Sequence, residues 1–206
     1  MTPEELFSKI LAKKAISDKV AEMFEIGLLI KGRVIGHFPS DPPPKFLNDT
    51  GLLFPVRDLY GHIISVYLRR LTKSGPKYDS LPFNKNVLFG LDKTFPFIYK
   101  KGAILVEGPF DVFALITCGI YNVCALLGTN INVYQISLLK RFTDKCFVML
   151  DGDPIGRVKS AEIYNKLIQY GFEAEVIRLP SGYDPDSYVA QYGSLPEGDI
   201  GWKTIG

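Results

Sequence analysis

From Ala103 onward, short apolar runs alternate with segments of helical periodicity, and no other feature of the chain restricts its fold so tightly. AILVE, NVCALLG, CFVMLD and EAEVIRLP read as strands. FDVFALITCG, INVYQISLLKRF and PIGRVKSAEIYNKLIQYG read as the helices between them. A connection that long does not make a hairpin; it carries the chain back to the start of the sheet, so successive strands run parallel. Strands this uniformly apolar need cover on both faces. The expectation is an α/β domain over residues 102–192, a parallel sheet with helices on both sides, followed by a tail over 193–206 without periodicity.

The first half has a different texture. Residues 3–15 predict a short amphipathic helix, with Pro3 at its start and Glu4 and Glu5 in its first turn. Asp18 is placed to cap a second helix, KVAEMFEIG, closed by Gly27. PSDPPPKFLND, with four prolines, predicts an exposed connector. LLFPVRDL and HIISVYLRRL predict a hairpin turning at Tyr60-Gly61. TKSGPKYDSLPFNK reads as a loop, and LFGL as the entry to a polar-aromatic bridge ending at Lys101-Gly102. Residues 1–101 are thus expected to form a smaller mixed α+β subdomain.

Charge and cysteine usage remove several alternatives. With 24 Lys+Arg against 22 Asp+Glu, the net charge of +2 indicates no partner, so charge acts by position. Cys118, Cys124 and Cys146 form no CxxC pair, and only His37 and His62 stand beside them; neither a zinc site nor a disulfide framework is expected. No apolar run reaches the roughly 18 residues of a membrane span. MTPEELFSKILAKKA carries acidic residues and no apolar core, unlike a secretory signal. A reducing cytoplasm is the expected setting.

The chemistry concentrates in acidic turns. Glu107 closes the first strand of the α/β domain, Asp151 and Asp153 close the third, and Asp184 and Asp186 follow the fourth. In open parallel sheets, ligands bind beyond these carboxyl ends. Asp151 and Asp153, two residues apart on extended chain, are expected to share one target. Gly108 and Gly152 are expected to let a large ligand approach the backbone. Each motif also has a structural explanation: Asp153-Pro154 is a good helix start, Asp111 suits a helix dipole, and Asp184-Pro185 forms turns. Three such motifs at one rim favour metal chemistry over three coincidences. Clustered carboxylates without histidine or cysteine suit Mg²⁺, with Mn²⁺ as a substitute. Two ions would assist attack and departure in phosphoryl or nucleotidyl transfer.

VEGPFDV, ALLGTN, VMLDGDPIGR and PSGYDPDSY, in this order, resemble the Toprim domain of DnaG-type primases, topoisomerases and some nucleases. FEIGLLIKG, FPVRDLYGHIISVYLRR, GPKYDS, FNK and VLFGL resemble, also in order, the segment that precedes Toprim in bacterial and phage primases. The resemblance covers about residues 20–190. It implies a Toprim-type fold and Mg²⁺-dependent synthesis of RNA primers on single-stranded DNA. It makes Glu107 the Toprim glutamate, with Asp111 in the same motif, Asp151 and Asp153 the metal-binding pair, and Asp184 and Asp186 a further acidic pair. Glu107, Asp111, Asp151 and Asp153 are the implied catalytic set.

Arg57, Arg69, Lys77 and Lys85 fall on the family's basic positions for template and incoming nucleoside triphosphate, with Arg157, Arg70 and Lys159 as weaker candidates. Tyr78, Phe83 and Phe89 are candidate base-stacking rings, with core packing favoured for the two phenylalanines. Pro109 and Ile155 depart from the family pattern without touching an acid. No zinc module, following helical segment or fused helicase is recognisable, so a zinc-binding module and a replicative helicase are expected partners in trans. A Toprim nuclease and a catalytically silent strand-binding subunit of a replisome are the competing functions.

Overall fold

The computed structural model describes residues 1–73 and 75–196. It divides into two compact units, the first being Met1–Lys93 and the second beginning at Thr94. The first unit holds a five-stranded antiparallel sheet in the order β2-β1-β3-β4-β5, built from β1 (Gly27–Ile30), β2 (Arg33–Gly36), β3 (Gly51–Arg57), β4 (Ile63–Arg70) and β5 (Tyr78–Ser80). Two helices precede it. In α1 (Pro3–Lys13) the Thr2 hydroxyl accepts the Glu5 amide at 3.1 Å while the Glu5 carboxylate accepts the Thr2 amide at 2.7 Å, a reciprocal cap. α2 (Asp18–Met23) is capped by Ser17 rather than by Asp18, because the Ser17 hydroxyl accepts the Val20 amide. The helix stops at Met23, and Glu25 turns the chain with φ +55°. Gly27 therefore opens β1 rather than closing α2, and a Cβ there would lie 2.5 Å from Val34 and 2.7 Å from Phe38.

The β3–β4 hairpin forms as expected. Pro55 sits inside β3, where a missing N–H usually breaks a ladder. The β1 ladder ends at Leu53, so β3 has a single sheet neighbour at Pro55 and the lost donor costs little. The proline-rich connector tightens into one short 3-10 turn, Pro44–Phe46, whose Phe46 is fully buried beside Leu29, Leu53 and Leu68. The expected loop after Leu71 contains β5, and the expected bridge after Leu91 is α3 (Leu91–Lys101), a helix that tolerates Pro96.

The second unit is the expected parallel sheet, in the order β7-β6-β8-β9, from β6 (Ala103–Val106), β7 (Val123–Ala125), β8 (Lys145–Val148) and β9 (Glu173–Val176). The connecting helices are α4 (Pro109–Thr117), α5 (Val133–Leu139) and α6 (Pro154–Gln169), and α7 (Pro185–Tyr192) packs on α4. The chain moves outward from β6 to β7, then crosses back over β6 to β8 and on to β9. Right-handed crossovers in opposite directions put α4 on one face and α6 on the other. The crevice of such a sheet opens where the direction reverses, between the carboxyl ends of β6 and β8. The described part of the tail, residues 193–196, holds no helix or strand, and 197–206 lie outside the described residues.

Candidate active site

Glu107 is the first residue past β6. Its carbonyl accepts the Leu127 amide at 3.0 Å, extending the β6–β7 ladder to the acid itself. Leu127 makes that bond with φ +58°, a left-handed conformation that costs a non-glycine residue on the order of 1 kcal/mol. Nothing in the spacing of ALLGTN signals this strained backbone. Gly108 and Pro109 then start α4, and the Asp111 carboxylate reaches back to accept the Gly108 amide at 3.0 Å.

Asp151 lies beyond β8, reached by a ladder that continues as Met149 donates to Leu105 and Ile177 to Val148. The regular strand stops at Val148, earlier than CFVMLD suggested. Asp153 caps α6 by accepting the Gly156 amide at 2.6 Å through one carboxylate oxygen. Gly156 is pressed to the chain at Asp151, where an added Cβ would meet the Asp151 carbonyl at 2.2 Å.

Gly152 corrects a sequence expectation. It does not leave space for a ligand, because an added Cβ would sit 2.1 Å from the Pro180 carbonyl, and the Gly152 amide donates to the Tyr183 carbonyl at 2.8 Å. This close approach ties the β9–α7 loop to the Asp151 turn. It brings Asp184, the cap of α7, and Asp186, in its first turn, toward Asp151. Gly108, by contrast, has only the Asp111 carboxylate within 4 Å of a Cβ position.

Electrostatics couple six acids into one group: Glu107, Asp111, Asp151, Asp153, Asp184 and Asp186. Burial and then the Asp153 charge push the Glu107 carboxyl up. Asp151 is pushed up to about 6 by burial, then by Glu107, Asp184, Asp153 and Asp186. Asp111 is 9% exposed and is held well above the usual carboxylate range by burial, offset in part by the Gly108 amide and raised further by Asp151, Asp186 and Asp184. Such mutual repulsion fits a site meant for cations. Among the described residues no group of three His, Cys, Asp or Glu is placed to hold a metal ion. Asp111 is buried and accepts the Gly108 amide, so it holds the Glu107 turn.

The basic candidates separate just as clearly. Arg57 is half-buried, its Nε and Nη2 each 2.7 Å from Glu25, and it also donates to the Gly61 carbonyl, so it braces the hairpin turn. Arg70 is bound to Asp49 at 2.6 Å and Asp79 at 2.9 Å, a structural role. Lys77 and Lys85 are exposed. Arg69 and Lys77 lie over the Tyr78 ring at 4.9 and 5.4 Å, and Tyr78 is 38% exposed. Phe89 is core, stacked with Phe24, and Phe83 packs edge-on to Tyr67, as favoured from sequence. Arg157 is exposed on α6, and its Nε donates to the Gly152 carbonyl at 3.3 Å, which sets one cation beside the acidic turn. Lys159 pairs with Glu162 on the same helix. Lys13, Lys14 and Lys73, which the sequence reading did not single out, line a cleft with Arg69, Arg70 and Lys77.

The unit whose four-stranded parallel sheet gathers these acids at its switch point is Toprim-like. The Toprim-like family model matches residues 104–189. The DNA primase of Aquifex aeolicus is 39% identical over 211 residues, covering 90% of this chain and 42% of the relative. The structure of the Aquifex primase zinc-binding and RNA polymerase domains superposes with a TM-score of 0.76 at 32% identity, over 90% of this chain and 52% of that one. A DnaG primase catalytic domain bound to single-stranded DNA superposes with a TM-score of 0.72 at 26% identity, over 91% of this chain and 70% of that one. Over most of its length the chain is similar to DnaG-type DNA primases, and it spans less than half the length of the curated Aquifex relative.

Proposed function

We propose that this chain is the catalytic core of a primase that joins nucleotides into short RNA primers on single-stranded DNA. The observation that carries the reading is the convergence of Glu107, Asp151 and Asp153 at the crevice between β6 and β8, with Asp151 pushed up to about 6 by burial and then by its acidic neighbours. In the reaction a 3′-hydroxyl attacks the α-phosphate of a nucleoside triphosphate and pyrophosphate leaves. Glu107, Asp151 and Asp153 would hold Mg²⁺, with Asp184 and Asp186 as outer acids. Bound Mg²⁺ supplies the positive charge that lets phosphate enter this acidic corner and lowers the barrier to in-line displacement. Glu107, with its proton affinity raised by burial, is suited to take the 3′-hydroxyl proton. Asp111 keeps the Glu107 turn closed, and Arg157 offsets phosphate charge at the Asp151–Asp153 turn.

The upstream unit would contribute template and nucleotide contacts through Arg69, Lys77 and Lys85. The structure of a DnaG primase catalytic domain bound to single-stranded DNA supports that reading. A zinc-binding module and a replicative helicase would supply start-site choice and placement, in the cytoplasm. The test uses Asp153→Asn, which preserves a good helix cap while removing charge. Dinucleotide formation on single-stranded DNA with Mg²⁺ should be abolished while the melting temperature stays near that of the parent chain. Shorter DNA products from the parent chain would instead mark a nuclease, and undiminished synthesis by the variant would remove the metal role of Asp153.

A further inference from the structure

The β6–β7 ladder opens just past Glu107. The Ile104 amide donates to the Asn122 carbonyl at 2.8 Å, so by the two-residue repeat of a parallel ladder the rung four residues further on would join the Gly108 amide to the Leu126 carbonyl. Side chains take both groups instead. The Gly108 amide donates to the Asp111 carboxylate at 3.0 Å, and the Leu126 carbonyl accepts the Gln135 side-chain amide at 3.0 Å. Asp111 belongs to α4 and Gln135 to α5, so the helices that follow β6 and β7 part the two strands. Beside the parting, the Leu127 amide donates to the Glu107 carbonyl while Leu127 is left-handed.

Gln135 is 1% exposed, and its two polar atoms have separate tasks. Its Oε1 accepts the Asn132 amide at 3.0 Å. This is the return bond of the α5 cap, in which the Asn132 carboxamide accepts the Tyr134 and Gln135 amides at 3.0 and 2.9 Å. Capping makes no use of Nε2, which reaches the sheet at Leu126. A glutamate here would bring charge into a buried place, and an apolar side chain would leave a buried carbonyl without a partner. A left-handed leucine persists only where its surroundings compel it, and such strain gathers at functional sites. Leu127 joins the residue that Gln135 grips to the acid at the rim.

We infer that Gln135 is a positioning residue for Glu107, the counterpart on α5 of Asp111 on α4. By taking the Leu126 carbonyl it holds the left-handed turn at Leu127, and the Leu127 amide fixes the Glu107 carbonyl, so that the acid stands at the rim with Asp151 and Asp153. The inference rests on the metal role proposed for Glu107. The parted ladder and the buried glutamine are independent of that role.

The test is Mn²⁺ binding to the intact chain, read from the loss of the free ion's electron paramagnetic resonance signal, with a melting curve for each variant. Gln135→Met keeps the length of the side chain and removes both polar contacts. Gln135→Asn is milder: it keeps an amide but is one methylene too short to reach both partners. Asn132→Ala is the comparison, since it uncaps α5 and leaves the Gln135 side chain on Leu126. Gln135→Met should weaken Mn²⁺ binding about three- to tenfold, the range of one net hydrogen bond, and Gln135→Asn should act in the same direction. Asn132→Ala should melt earlier and keep the parent affinity. Leu127→Asn accepts the left-handed turn more readily, so Gln135→Met should cost less on that background. Equal affinity in the parent chain and the folded Gln135 variants overturns the inference. So does an equal loss in Asn132→Ala, or an undiminished effect beside Leu127→Asn. A parent chain that binds no Mn²⁺ overturns the metal reading, and the inference falls with it; binding by the parent with unmoved Gln135 variants sinks the inference alone.

Discussion

At the scale of single residues, the acidic turns work because small residues allow backbones to meet. Gly152→Ala forces a Cβ to within 2.1 Å of the Pro180 carbonyl, whereas Gly108→Ala adds one at 3.6 Å from the Asp111 carboxylate, an ordinary contact. Thermal melts should show a large loss for Gly152→Ala, about 2 kcal/mol or more by the cost of overpacking, and little loss for Gly108→Ala. Asp151 carries a pH signature. Its folded pKa of about 6 lies above the ordinary value of 3.8, so the folded state holds the proton more tightly. The associated stability is complete below about pH 4 and is lost as pH rises through about 6. In metal-free buffer, melting temperature against pH should therefore fall less steeply between 4 and 7 for Asp151→Asn than for the parent chain. Parallel curves would show that the acids do not repel as described.

At the scale of elements, the β4–β5 hairpin depends on Arg70. Its side chain is 9% exposed and answers two carboxylates, so Arg70→Met leaves Asp49 uncompensated. Breaking a buried pair costs about 3–5 kcal/mol. The low end is expected because Asp79 keeps Lys45. Urea unfolding measures the loss, and a change below about 1 kcal/mol would show that the pair is no more than a surface bridge. At this scale two segments read differently from the structure. β5 is three residues long, too short for alternation to register, and α3 contains Pro96, which reads as a break although the rest of the helix is well patterned.

At the scale of the whole molecule, divalent ions and stability should be linked. A ligand that binds the folded state alone raises its stability. Mg²⁺ at neutral pH should raise the melting temperature, EDTA should reverse the rise, and Asp151→Asn or Asp153→Asn should shrink it. No shift in the parent chain at millimolar Mg²⁺ would count against the acids as a metal site, whatever the activity assays show.

Much of the α/β unit was legible in the residues. Strand and helix identity from Ala103 to Val176 follows from apolar runs and helical periodicity, which are local properties, and parallel order follows from the connection lengths. The motifs that carry the family resemblance also placed Glu107, Asp151 and Asp153 at strand ends. What tertiary structure decided were matters of distance between remote segments. Arg57 reads like Lys77 in sequence, yet Glu25 claims it from 32 positions away. Gly152 reads as ligand space but is filled by the loop at Pro180. Asp111 reads as one acid among several, yet burial seals it. Lys13 and Lys73 become one wall only when α1 lies beside the β4–β5 turn. The physical reason is common to all four: a side chain's charge and shape are written locally, but its solvation and its partner depend on what folding brings within a few ångströms.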